Sequence, residues 1–175
     1  MTAGVLAGNT TTKTLRVYIS TNNIASGMQI AVIGPGKCSG DEWKAAFATG
    51  QFIARNNAML VCGAHGGVGE AAAMGARGDG GAILKIAPKK GYRNQFLDFF
   101  VRAGIRQSRN MYVVQSSDAV IVVGNSYSAA PEISLALAMK RPVFGVNTRN
   151  IEGVVKCATP KEAVEKATGI TRSSC

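Results

Sequence analysis

The sequence predicts an α/β protein with a Rossmann-like, doubly wound fold, in which a mostly parallel sheet carries helices on both faces. Three observations predict this fold. Short apolar runs alternate with stretches of helical periodicity, and turns rich in glycine or proline separate many of them. The central run, residues 119–123, has no polar position, which is typical of a strand covered on both faces. We therefore expect parallel strands joined by right-handed crossovers.

The strands are predicted from apolar runs that are too short for an ordinary helix. Gly34, Pro35 and Gly36 end the first run, and Pro88 closes the third, because these residues interrupt regular structure. The predicted strands cover residues 29–33, 58–62, 82–87, 96–102, 119–123, 143–146 and 154–156.

The first and last helices are predicted from their N-terminal residues. Ser39 or Asp41 caps a helix that runs to about Asn56, and Glu42 stands three residues after Ser39, where a capping box requires an acid. The tetrapeptide 159–162, with sequence TPKE, repeats this pattern before the last helix, which ends near Gly169.

Three more helices are predicted between these two. One follows the glycine-rich turn of residues 63–69, and one covers residues 105–116. The third begins at about Pro131 and Glu132, because proline is tolerated in a first helical turn and an acid suits its positive end. It is predicted to end at Lys140 and Arg141, since basic residues are favoured at a helix C-terminus.

Residues 28–170 are predicted to form a single Rossmann-like ligand-binding domain, since 175 residues suffice for one domain with a substantial core. Residues 1–27 contain no acidic residue, and Lys13 and Arg16 are their only basic ones, which makes a poor targeting signal. We predict that they form a flexible extension. An edge strand over residues 15–20, or a true initiator at Met28, remains an alternative. Residues 171–175 are predicted to be a disordered tail.

The formal net charge of +10 predicts an anionic partner: a nucleic acid, a membrane surface or a phosphorylated small molecule. No segment approaches the roughly 18 apolar residues that a membrane helix needs. No nucleic-acid-binding motif is present, and basic and aromatic residues are not interleaved. We therefore expect an anionic small-molecule ligand, with no membrane partner and nucleic acid unlikely.

The cysteines are scattered, and the chain has only one histidine, His65. This pattern predicts neither a metal site nor a disulfide scaffold, and it favours reduced thiols in a cytoplasmic protein. The four cysteines are Cys38, Cys62, Cys157 and Cys175.

The ligand site is predicted at the carboxyl ends of the strands, where open α/β sheets form a crevice. The glycine-rich turn of residues 63–69 does not have the G-x-G-x-x-G spacing, but a helix N-terminus after such a turn is an anion site by geometry. The small-residue loop after residues 119–123 is the second predicted element. The candidate ligand-binding residues are Gly34, Gly36, Lys37, Gly63, His65, Gly66, Gly67, Arg109, Gly124, Asn125, Ser126, Tyr127, Ser128 and Ala129.

Over residues 28 to about 168 the sequence resembles the LOG-like family, which includes the cytokinin-activating phosphoribohydrolases and the molybdenum cofactor carrier proteins. Arg109 and Glu132 match the arginine of a helix and the glutamate of the P-G-G-x-G-T-x-x-E signature in the hydrolases, and SSDAVIVVG matches the strand between them. The segments GPGK, CGAHGGVGEAAAMGA, GAILKIAP and PEISLALAMKRPVFGV look more like the carriers.

The predicted phosphate loop departs from this family. Asn125, Ser126, Ser128 and Ala129 stand where the family has glycines and a threonine. A Cβ restricts positive φ and close backbone approach, although the two serine hydroxyls could compensate.

The resemblance implies two alternative functions. In the first, the protein carries a phosphorylated pterin or nucleotide-like ligand, with no required cofactor, the molybdenum cofactor as bound cargo, and Tyr127 against a flat ring. In the second, it hydrolyses nucleoside 5′-monophosphates: Glu132 stabilises positive charge on the ribose and helps to activate water, and Arg109 either positions the phosphate or orients that carboxylate. The altered loop favours the carrier. The family also implies a homodimer or higher homo-oligomer.

Overall fold

Strands β1 to β7 form one parallel sheet in the computed structural model, which describes residues 27–63, 66–87, 99–102 and 106–170. Every neighbouring pair is parallel, and the order across the sheet is β4-β3-β2-β1-β5-β6-β7. Six of the predicted strands are confirmed to within one residue at each end. The fourth is confirmed over residues 99–102, and its predicted first part, residues 96–98, lies outside the described residues. The strands are β1 (Gln29–Ile33), β2 (Met59–Cys62), β3 (Ile83–Ala87), β4 (Phe99–Arg102), β5 (Ala119–Val123), β6 (Val143–Val146) and β7 (Val154–Cys157).

Helices cover both faces of the sheet, as the sequence predicts. On one face α1, α2 and α5 bury small and aliphatic residues against β1, β2 and β5. On the other face α3 and α4 pack against the same central strands. The helices are α1 (Gly40–Arg55), α2 (Gly67–Gly78), α3 (Arg106–Gln115), α4 (Ala130–Ala138) and α5 (Pro160–Thr168), and a 3₁₀ turn (Tyr127–Ala129) precedes α4.

Both predicted N-caps are present. The Ser39 hydroxyl accepts the Glu42 N–H, and the Glu42 carboxylate accepts the Ser39 N–H, which completes the capping box of α1. Thr159 caps α5 by accepting the Glu162 N–H. The carboxylate of Glu162 accepts from Ala158 rather than from Thr159, so the second box differs by one residue from the usual pattern.

The predicted end of α4 is wrong. The helix ends at Ala138, so neither Lys140 nor Arg141 belongs to it. Lys140 has a φ of 55°, which is the left-handed conformation that terminates a helix. The possible edge strand over 15–20, most of the predicted extension and the tail 171–175 lie outside the described residues.

Helices α1 and α2 pack closely because glycine faces backbone at their contact. A Cβ on Gly50 would overlap the Ala72 carbonyl oxygen, and a Cβ on Gly75 would overlap the Phe47 carbonyl oxygen. Gly78, three residues further along α2, has open space at the same position. Of these two glycines of α2, only Gly75 is therefore required for the contact with α1.

We predict that Gly75→Ala lowers the free energy of unfolding by about 1–3 kcal/mol or more, because the new methyl group must separate α1 from α2. The matched variant Gly78→Ala should raise it by about 0.5–1 kcal/mol, since alanine restricts the unfolded chain and meets no atom in the folded one. Urea denaturation of both variants measures the difference. Equal effects would contradict the close contact.

Candidate functional site

The two central strands define where the crevice lies. The chain moves outward from β1 through β2 and β3 to β4, then returns to place β5 on the other side of β1. The order therefore reverses between β1 and β5, and ligands of open α/β sheets bind at the carboxyl ends of such a strand pair. Ile33 pairs with Val122 at this end. The loops that follow are residues 34–39 and 124–129, which contain most of the predicted site.

The loop after β1 and the start of α2 are in direct contact. The Val68 N–H donates to the Pro35 carbonyl oxygen at 3.1 Å. Gly67 has a φ of 55°, and a Cβ there would overlap that same oxygen, so glycine is required. Gly66, the N-cap residue, has a φ of 77°, and no side chain caps the helix. The predicted residues of these two loops therefore come together around the uncapped N-terminus of α2.

The loop after β5 is ordered by its own serines. Gly124 has a φ of 91°, a conformation that L side chains rarely adopt. The Ser126 hydroxyl accepts the Ser128 N–H at 3.1 Å, and the two hydroxyl oxygens are 2.9 Å apart. The loop then enters the 3₁₀ turn and continues into α4, which also has no side-chain cap. Two serine hydroxyls thus lie in the turn that leads into α4.

Glu42 joins the two loops across the strand junction. One carboxylate oxygen accepts the Ser39 N–H at 2.8 Å, and the other accepts the Asn125 N–H at 3.3 Å. The side chain lies so close to Gly124 that a Cβ there would overlap it. The Glu42 carboxylate therefore already accepts the Asn125 N–H of the predicted phosphate loop.

The same carboxylate acts on Cys38, which stands at the edge of the crevice. Burial raises the pKa of the Cys38 thiol, and the negative charge of Glu42 raises it further. The thiol is therefore protonated at neutral pH and is a weak nucleophile. Cys38 and Cys157 are free thiols, and within the described ranges no group of acids, cysteines or histidines could hold a metal ion.

Arg149, in the loop after β6, completes the rim and was not among the predicted residues. Its backbone N–H donates to the Asn125 side-chain oxygen at 3.1 Å. Its guanidinium carbon lies 3.6 Å from the centre of the Tyr127 ring, which is a cation–π contact. Tyr127 is still 76% exposed. No local pattern indicated this pair, because the two residues are brought together only by the pairing of β5 with β6.

The two predicted catalytic residues lie in neighbouring helices. Glu132 is half-buried in the first turn of α4. Arg109 belongs to α3, which packs beside α4 on the same face of the sheet, but its side chain is outside the described part of the chain.

The remaining predicted residues are divided between the crevice and its surroundings. Gly36 and Lys37 are exposed in the loop after β1, and Gly63 is buried directly after β2. Ala129 is buried at the start of α4. His65 lies outside the described residues.

No helix among the described residues is both long and apolar enough to cross a membrane.

The sheet order and its crevice define a Rossmann-like α/β protein. Comparison with known proteins identifies its family. The chain belongs to the SLOG cluster4 family, whose model matches residues 27–172. An uncharacterized protein of Archaeoglobus fulgidus is 39% identical over 145 residues, which are 78% of this chain and 92% of that protein.

Two solved structures share the fold at a TM-score of 0.73, and each comparison covers 79% of this chain and 94% of the other. One is the molybdenum cofactor binding protein of the phototrophic bacterium Rippkaea orientalis, at 28% identity. The other is the molybdenum cofactor carrier protein of Chlamydomonas reinhardtii, at 26% identity. The resemblance that the sequence motifs indicated is confirmed.

We predict that Glu42→Gln lowers the pKa of Cys38, because it removes the negative charge that disfavours the thiolate. At a fixed pH below that pKa, iodoacetamide should then label Cys38 faster. The experiment uses a Cys175→Ser background, in which the buried Cys62 and Cys157 react slowly. A lower pH midpoint of labelling with an unchanged maximal rate confirms the charge effect. An unchanged midpoint would contradict it, and a higher maximal rate alone would indicate only that the loop had opened.

Proposed function

We propose that the protein binds a phosphorylated small molecule of the pterin or nucleotide type in the crevice between β1 and β5, as a carrier similar to the molybdenum cofactor carrier proteins. One observation supports this most directly. The loops after β1 and β5 converge at the switch point of the sheet, beside the N-termini of α2 and α4, and neither helix has a side-chain cap. The positive end of a helix, together with any N–H groups there that no protein acceptor occupies, attracts an oxyanion.

The neighbouring elements support an anionic ligand. The side chains of Ser39 and Thr159 cap α1 and α5, so fewer N–H groups at these two N-termini remain for a ligand. The serine hydroxyls at 126 and 128 can donate to phosphate oxygens, as backbone N–H groups do in glycine-rich loops. The net charge of +10 would concentrate anions near the whole surface.

The carrier function is favoured over hydrolysis by the loop after β5. Asn125, Ser126 and Ser128 carry side chains where the hydrolase signature has glycine, and Glu42 takes the Asn125 N–H. The side chains restrict close approach of the backbone, and Glu42 and Ser126 already accept the Asn125 and Ser128 N–H groups, so fewer backbone donors remain to hold a phosphate in the hydrolase manner. Similarity to two molybdenum cofactor binding proteins along 94% of their length supports the same choice, with the cofactor as cargo.

Hydrolysis of nucleoside 5′-monophosphates is the second candidate, and the position of Glu132 favours it. This carboxylate lies one turn beyond the loop, in a helix packed beside the one that contains Arg109. A carboxylate at that position could stabilise the positive charge that develops on the ribose when the N-glycosidic bond breaks.

We also expect a homodimer or higher oligomer. Met111 and Tyr112 on α3 are 39% and 37% exposed, and such side chains are commonly covered at interfaces. Sedimentation equilibrium would give the number of subunits.

Retention of the molybdenum cofactor by variants of Ser128 tests the carrier function. The protein is mixed with cofactor released from a molybdoenzyme and passed over a desalting column, and the retained pterin is quantified by fluorescence after oxidation. Ser128→Asp should reduce retention about tenfold or more, because it places a negative charge beside the phosphate. Ser128→Asn has nearly the same shape without the charge and should retain much more. No retention by the wild-type protein would refute a molybdenum cofactor carrier.

Release of base from a panel of nucleoside 5′-monophosphates tests the second candidate. If the protein is a hydrolase, the wild-type chain releases base, and Glu132→Gln loses at least about a hundredfold in rate because the amide cannot stabilise positive charge. If the protein is a carrier, we expect no release from any substrate. Release by the wild-type chain that Glu132→Gln abolishes would replace the carrier function with hydrolysis.

A further inference from the structure

Arg149 is held at the rim of the crevice by two independent contacts. The Asn125 side chain accepts its backbone N–H, and the Tyr127 ring covers one face of its guanidinium. Asn125 and Tyr127 both belong to the loop after β5, whereas Arg149 follows β6. The side chain is therefore positioned over the loop that the proposed function assigns to the ligand, rather than extending freely into solvent.

The stacked geometry leaves the hydrogen-bonding groups of Arg149 available. A guanidinium donates in its own plane, so a ring against its face does not consume a donor. Within the described ranges, no carboxylate pairs with this side chain. An arginine whose orientation is set by stacking, and whose donors are not already used by an acid, suits recognition of a phosphate.

The charges around the loop explain why such a cation is needed. Glu42 already accepts the Asn125 N–H, so its carboxylate brings a negative charge to the start of the loop. Further along the loop, the Ser126 hydroxyl already accepts the Ser128 N–H. A phosphate here would meet fewer backbone donors than in a glycine-rich loop, and it would be repelled by Glu42. A positive side chain beside the loop would offset both effects.

We propose that Arg149 is a ligand-binding residue that receives the oxyanion of the ligand at the rim of the crevice, with Tyr127 holding its guanidinium in place. This inference rests on the proposed function, because it places the anionic group of the same ligand. It differs from recognition by backbone N–H groups alone, since the specificity for a negative charge comes from one side chain. The open face of Tyr127 remains available to a flat ring.

Titration with inorganic phosphate, followed by ¹H–¹⁵N NMR, tests the proposal. In the wild-type protein the Arg149 side-chain N–H and the Ser128 amide should shift saturably. Arg149→Gln should weaken the apparent affinity about tenfold or more, because a charge-assisted hydrogen bond is lost. Arg149→Lys should fall between the two, since it keeps the charge and loses the planar fork. Lys140→Gln removes the same charge after α4 and should change affinity less than about twofold.

The outcomes of this titration distinguish a failure of the role of Arg149 from a failure of the proposed function. Shifts at residues 67–70 without any shift at Arg149 would overturn the role of Arg149 and leave an anion site at α2. Equal weakening by Arg149→Gln and Lys140→Gln would also overturn it, because only net charge would then matter. No saturable shift anywhere would overturn both. Dispersed spectra and equal thermal unfolding midpoints confirm that the variants are folded, and Arg149→Lys gives a second comparison at the same position.

Discussion

The pairing of β1 with β5 is the constraint on which the rest of the structure depends. Two carboxylates join these strands at opposite ends. Asp118 accepts the Gln29 N–H at 2.9 Å where the strands begin, and Glu42 connects Ser39 with Asn125 beyond their carboxyl ends. Gly34 lies so close to the Val123 carbonyl oxygen that any Cβ would overlap it. The two loops of the crevice are consequently placed by the central strands and not by their own flexibility.

The crevice combines opposite charges within one small region. Glu42 stabilises the junction and would repel a phosphate, while the N-termini of α2 and α4, which have no side-chain cap, would attract one. Arg149, stacked on Tyr127, adds a full positive charge at the rim. A site of this kind favours a ligand whose anionic group lies at the rim and whose uncharged part lies away from it. This arrangement is consistent with a carrier that holds its cargo without cleaving it.

Much of the fold was predictable because each element is encoded locally. The apolar run of β5 and the capping box at Ser39 each lie within a few consecutive residues, and both are present as predicted. The pairs across the crevice were not predictable. The second oxygen of Glu42 reaches Asn125, and Arg149 reaches Tyr127, through the packing of different strands, so no sequence spacing indicates either contact. The predicted end of α4 was wrong because Lys140 adopts the left-handed conformation, which ends the helix although its composition would have allowed it to continue.

The junction of β1 and β5 is the proposed binding site of a phosphorylated ligand. The most direct measurement is a crystal structure of the protein with adenosine 5′-monophosphate or the molybdenum cofactor bound. We predict phosphate density between residues 34–39 and 124–129, with an oxygen within hydrogen-bonding distance of the Arg149 guanidinium. Density for the phosphate at the amino ends of the strands, or on the outer face of α5, would contradict it.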